Sequence, residues 1–208
     1  EGTPENIRKF HPNIIVSSTG SAPLLPPIAG LKDRIDNEKH NIYSILGMIS
    51  HINDFPKDLE GKKVVVVGGG AVGLDVVEFF ADRNADISIV EMMDQIGRDL
   101  DPVSKNDTKT MMKKHNVHQL TKTALLEVKD SSFLVRGDGE PYELPFEYGF
   151  VCLGMRAQGQ LYQNLTEEFS SEDVEIMNIG DSQRARRIID GTQEGRNILT
   201  ILEQKGYL

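Results

Sequence analysis

Lys62-Lys63-Val64-Val65-Val66-Val67-Gly68-Gly69-Gly70-Ala71-Val72-Gly73 is the stretch on which the fold turns. Its run of β-branched residues predicts a strand covered on both faces, as in a parallel sheet. The glycines break that strand, and Ala71–Arg83 then carries apolar residues at 72, 76, 77, 80 and 81, the spacing of a helix face. Residues 86–91, Asp-Ile-Ser-Ile-Val-Glu, predict a second strand. Strand, glycine turn, helix and strand in succession make a βαβ unit.

Within it, Gly68, Gly70 and Gly73 satisfy G-x-G-x-x-G. The first glycine permits the tight turn, the second lets a pyrophosphate approach the backbone, and the third lets the helix pack on the strand. With Ala71 and Val72 they place free N–H groups at a helix start, where the macrodipole also favours negative charge. Glu91 stands 23 residues after Gly68, at the end of the second strand. A carboxylate there accepts the adenosine-ribose hydroxyls and repels a 2′-phosphate. Met92, Met93 and Asp94 follow it and no arginine comes before Arg98, which favours NAD(H) over NADP(H). Met92 and Met93 have two readings: flanking the adenine, or the plain filler that methionine more often is. Asp75 has two readings: an acid stabilising the helix N-terminus, or a contact near the nicotinamide.

Farther out, Asp101-Pro102 is a cap followed by an N1 proline, and the helix it starts ends in Lys113, Lys114 and His115. Residues 118–146 predict three or four short strands in an antiparallel meander. Buried strands are expected at 148–154 and 173–180, and a helix at 186–205. Upstream, residues 13–17 read as a strand, three prolines between Ala22 and Gly30 impose an extended connector, and a short helix is expected near 44–52. The fold class is therefore α/β: a Rossmann-like doubly wound parallel sheet with an antiparallel meander.

Composition narrows the function. Lys and Arg number 23 against 32 Asp and Glu, a net charge of −9 in 208 residues, so no basic face suits nucleic acid. A single cysteine, Cys152, excludes an internal disulfide, a CxxC pair and a cysteine-held metal or iron–sulfur site in this chain. It reads as an inert core thiol. The longest strongly apolar stretch, Val64–Val67, is far short of a membrane span, and no leader opens the sequence, so a cytoplasmic location is expected. The start at Glu1 suggests a piece of a larger protein. His115 and His118 straddle a helix end without a third ligand and read as surface residues. Arg184, Arg186 and Arg187 read as a solvated face. No catalytic triad, carboxylate pair or P-loop lysine is present, so chemistry must come from a cofactor.

Three segments, Lys63–Glu91, Phe150–Arg156 and Val174–Asp181, resemble flavoproteins in which one dinucleotide-binding domain is nested in another. Ser17-Ser-Thr-Gly20 and the proline-rich run after it resemble that family's strand exit into the nested NAD domain. Gly68–Phe80, residues 91–97 and residues 188–195 are most similar to the C-terminal part of the 2-enoate reductase and 2,4-dienoyl-CoA reductase group. The resemblance implies a full protein with an FMN-bearing barrel and an iron–sulfur cluster, then an FAD domain carrying an NAD(P)H domain. Electrons would pass from nicotinamide to FAD and on to an activated C=C bond. This sequence has neither barrel nor cluster cysteines nor the first FAD half.

The resemblance assigns Gly68, Gly70, Gly73, Glu91 and Gly154 to NAD, and Thr19, Gly20, Gly180 and Asp181 to FAD. Ser18, Gly191 and Gln193 depart from the family pattern on the FAD side, and FAD is expected to bind this chain weakly or not at all. The expected organisation is a partial FAD-domain strand and linker at 1–60, the NAD(H) domain at 61–156, and a return to the FAD domain at 157–208. The partners implied are small-molecule dinucleotides and the missing N-terminal parts; a homo-oligomer is left open. An NAD(H)-sensing module without turnover is the alternative from another class. A disulfide reductase of the same superfamily is disfavoured because no redox cysteine pair is present, though such a pair would sit in the missing N-terminal part.

Overall fold

The computed structural model describes residues 2–207. Along the chain the elements are Pro4–Arg8 (α1), Ile14–Ser17 (β1), Ser21–Pro23 (β2), Leu31–Arg34 (α2), Ile42–Tyr43 (β3) and Ile45–Ser50 (α3). Lys63–Val67 (β4), Ala71–Ala81 (α4), Asp86–Val90 (β5), Pro102–Lys114 (α5) and His118–Leu120 (β6) follow. Then come Ala124–Val128 (β7), Ser132–Arg136 (β8), Tyr142–Pro145 (β9), Tyr148–Val151 (β10) and Met155–Ala157 (β11). Gln160–Glu168 (α6), Glu175–Asn178 (β12), a 3-10 turn at Gly180–Ser182 and Ile188–Gln204 (α7) complete it.

The chain divides into two compact units, residues 23–154 and residues 2–22 with 155–207. The larger holds a five-stranded sheet in the order β3-β10-β4-β5-β6, with every pairing parallel. Alternate valines of β4 explain the unbroken apolar run. Val64 and Val66 face Leu74, Val77 and Phe80 of α4 and Met112 of α5, while Val65 and Val67 face Phe133, Val135 and Phe146 on the other side. That second face is covered by the antiparallel β7-β8-β9 sheet. A side chain at Gly149 of β10 would meet the rings of Phe133 and Phe146 within 3 Å, so this glycine makes room for the meander.

The structure moves two expected boundaries. Residues 1–60 are expected to be a partial FAD-domain strand and linker, yet β3 adds an edge strand beside β10, and Leu31 and Ile42 are fully buried in the core. The first division therefore falls between Ala22 and Pro23 rather than at residue 60, and the second after Gly154 rather than 156. The stretch 118–146 also splits, since β6 joins the parallel sheet and only β7–β9 form the meander. Asp101 caps α5 as expected, accepting from the amides of Val103 and Ser104.

In the smaller unit, β1 and β12 pair in parallel from Ile14↔Glu175 to Ser17↔Asn178. Ile15 packs there with Leu165 and Phe169 around α6. No helix among the described residues is long and apolar enough to cross a membrane.

Candidate functional site

The register of the larger sheet builds the site. Val67 lies beside Val90 on one side and Val151 on the other, so three parallel strands end level. Their continuations, Gly68, Glu91 and Cys152–Gly154, meet at the carboxyl edge, where open α/β sheets bind ligands. A cavity of about 610 Å³ opens there. Gly68, Gly70, Ala71, Val72, Glu91, Met92 and Gly154, all expected from the sequence, line it.

The three fingerprint glycines have different reasons to be glycine. Gly68 has φ +109°, and a side chain on it would collide with the Cys152 carbonyl. One on Gly73 would collide with the Gly68 carbonyl. Both are demanded by the fold. Gly70 is not: its φ is −79°, which any residue adopts, and nothing lies within 4 Å of where a Cβ would stand. Its amide and those of Ala71 and Val72 begin α4 and have no intrahelical acceptor.

Glu91 is fixed against this loop. One carboxylate oxygen accepts the Gly69 amide at 2.6 Å, and the other accepts the Met93 amide at 2.7 Å. The Gly69 carbonyl in turn accepts the Gly97 amide at 2.7 Å. The two peptides that flank Gly69 are thus each held by one hydrogen bond.

Several wall residues carry no motif in the sequence. Leu24, Pro26 and Ile28 come from the proline-rich connector, Thr123 immediately precedes β7, and Ala124 and Leu125 begin it. The signal for the connector was weak, because extended proline-rich chain has no periodicity to mark a face. Cys152 is buried as expected but also forms part of the cavity wall. Burial, and then the charge of Asp75, push its thiol up to about 12. At pH 8, iodoacetamide is therefore expected to alkylate Cys152 at least about a hundredfold more slowly in the native chain than in urea. Equal rates in the two states would show that the thiol is not held in this wall.

Asp75 lies outside the group that lines the cavity. It faces a separate crevice between α4 and α5 with Glu78, Ser104 and Asp107. Partial burial there and the charge of Glu78 raise its carboxyl above the usual aspartate range. Its nicotinamide reading gains no support from this position. His118 pairs with Asp86 at 3.3 Å, and no metal-binding cluster of histidine, cysteine or carboxylates exists among the described residues.

The residues assigned by resemblance to FAD lie in the smaller unit. The Thr19 hydroxyl donates to the Gln158 carbonyl. Gly20 and Gly180 have φ of +76° and +65°. Asp181 accepts the Arg186 amide and the Ser21 hydroxyl, both at 3.1 Å. The Gly180 amide donates to Glu194 at 2.7 Å, and Glu194 is ion-paired with Arg186. Arg186 is thus a partner of α7 rather than part of a solvated face.

A family model described as pyridine nucleotide-disulphide oxidoreductase matches residues 5–177. The chain belongs to this family. Among curated relatives, an NADH oxidase of Thermoanaerobacter brockii is 26% identical over 192 residues, covering 92% of this chain and 28% of that protein. A metal reductase of Desulforamulus reducens is 26% identical over 95% of this chain and 32% of its own length. The solved complex of 2-naphthoyl-CoA reductase with 2-naphthoyl-CoA shares the fold at TM-score 0.77 and 21% identity, covering 94% of this chain and 28% of that one. The chain spans about a third or less of each of these proteins. These relatives agree with the enoate and dienoyl reductase resemblance.

Proposed function

We propose that this chain is the pyridine-nucleotide module of an NADH-dependent flavin oxidoreductase. Gly70 carries the reading: neither its backbone angles nor its neighbours require glycine, and it leaves the free amides of α4 open to the cavity. A ligand that brings an anionic diphosphate close to the backbone accounts for the missing side chain. Glu91, beside that loop, supplies the acceptor for the ribose hydroxyls, and its charge disfavours a 2′-phosphate. Bound NADH would supply a hydride; the chain's residues hold the dinucleotide and exclude water along the apolar wall.

Family membership carries FAD as the second cofactor. The smaller unit offers Thr19, Gly20, Gly180 and Asp181 toward it, but among its described residues no second glycine cradle for its diphosphate. Asp181 and the Gly180 amide are also engaged within the chain. These residues do not make a complete FAD site. In the whole protein we place the acceptor flavin, the FMN and the iron–sulfur cluster outside this chain. Reduction of an enoate or enoyl-thioester C=C bond as the final step is supported by the residues shared with the enoate reductase group and by the thioester named for the solved relative.

Titration of the chain with NADH, NADPH and FAD tests the reading. NADH is expected to bind more tightly than NADPH, and FAD weakly or not at all. Glu91→Arg is expected to weaken NADH by about 10- to 100-fold and to improve NADPH binding, since charged hydrogen bonds contribute about 1.5–3 kcal/mol. Glu91→Gln, which keeps one acceptor oxygen, is expected to lose less NADH affinity and gain nothing for NADPH. Equal NADH affinity in wild type and Glu91→Arg would remove the ribose assignment.

A further inference from the structure

Two sulfur atoms belong to residues lining the cavity, those of Cys152 and Met92. They differ in accessibility. Cys152 is 8% exposed, and its reaction with oxidants requires a thiolate that its burial opposes. Met92 is 68% exposed, and a thioether needs no deprotonation before it is oxidised. Elsewhere in the chain Met48 and Met112 are buried in the core, at 4% and 3%. Met93 is also exposed, at 41%, but does not line the cavity. The backbone at Met93 is fixed on both sides, its amide donating to Glu91 and its carbonyl accepting the Lys122 amide at 2.8 Å. That holds Met92 in place at the rim, next to Glu91.

Resting on the dinucleotide reading above, we propose that Met92 is a site of reversible oxidation by which a hydroperoxide lowers the affinity of this cavity for NADH. The thioether sulfur attacks the peroxide, a sulfur–oxygen bond forms and the O–O bond breaks. The sulfur is oxidised by two electrons, and the departing oxygen takes up the proton of the transferred hydroxyl and leaves as water, or as an alcohol from an organic peroxide. The product exchanges an apolar, polarisable side chain for a polar sulfoxide. Its oxygen carries partial negative charge one residue from the Glu91 carboxylate, and the cavity wall beside it, with Val67, Val90, Ala124 and Leu125, is apolar. An aromatic base loses its favourable sulfur contact there. Reduction of the sulfoxide by a methionine sulfoxide reductase restores the starting state.

The test uses the 208-residue chain and NADH fluorescence titrations before and after hydrogen peroxide, with peptide mass spectrometry locating the added oxygen. Oxidation at Met92 is expected to weaken NADH by about 3- to 10-fold, and reductase treatment to reverse it. Met92→Leu is expected to show the same affinity before and after peroxide, while Met93→Leu loses affinity as wild type does. Met92→Gln, a polar stand-in for the sulfoxide, is expected to bind NADH more weakly without any oxidant. Complete oxygenation of Met92 with unchanged affinity overturns the proposal, as does an equal peroxide loss in Met92→Leu. An untreated chain that fails to bind NADH overturns the dinucleotide reading itself, a result distinct from binding that peroxide leaves untouched.

Discussion

A Gly70→Val chain is expected to unfold at close to the wild-type temperature and yet to bind NADH at least about a hundredfold more weakly. The backbone at Gly70 already has angles that valine adopts, and no atom lies within 4 Å of the new Cβ. Replacing glycine at a helix cap by an aliphatic residue costs about 1 kcal/mol or less. The valine methyls, however, stand over the first amides of α4. Losing two charge-assisted hydrogen bonds of about 1.5 kcal/mol each is enough for the hundredfold effect. Gly73→Val makes the opposite case. Its side chain must displace the Gly68 carbonyl, so thermal unfolding is expected to drop by the equivalent of about 1–3 kcal/mol or more. Calorimetry and NADH titration on both variants separate the two roles. NADH affinity in Gly70→Val equal to wild type would show that no diphosphate rests on that turn.

The largest loss of stability is expected from Phe80→Ala, about 3–5 kcal/mol in urea unfolding of the larger unit. Phe80 is fully buried on α4. Its ring centroid lies 4.8 Å from Phe150 of β10, 5.2 Å from Phe55 and 5.0 Å from Phe79. The ring therefore ties α4 to the sheet whose end carries the cavity, and its removal leaves a hole among rigid aromatic neighbours. Domain stabilities are commonly about 5–15 kcal/mol, so the variant sits near the edge of folding. If NADH binds as proposed, a concentration of about one hundred times Kd returns about 2.7 kcal/mol by linkage. A loss below about 1 kcal/mol would mean that this aromatic cluster is not the centre of the core.

The parts of the fold legible in the sequence are those specified by neighbouring residues. Val64–Val67, the glycine turn and the 3.6-residue spacing of α4 are all local signals, and the cavity floor follows from them. Glu91 was legible because its distance from Gly68 is set by one helix and one strand. The strands at 13–17 and 173–180 were legible as short apolar runs, and as β1 and β12 they pair in parallel register. Within residues 23–60 the short helix expected near 44–52 is found at Ile45–Ser50, but β3 was not legible, because it is only two residues long and its place beside β10 depends on partners a hundred positions away. Its neighbour Leu31 is buried by contacts that no local pattern announces. The second wall of the cavity was missed for the same reason: Leu24, Ile28 and Thr123 are distant in sequence and become neighbours only when the meander covers the sheet. Asp75 had two readings in the sequence, an acid at the helix N-terminus or a nicotinamide contact, and in the fold it lines the crevice between α4 and α5.

The hold on Gly69 through both its amide and its carbonyl, by Glu91 on one side and Gly97 on the other, has a kinetic meaning. A turn already locked in its receiving shape gives up little conformational entropy when an anion arrives. Capture then proceeds as a rigid encounter, in a single concentration-dependent phase without a slow rearrangement behind it.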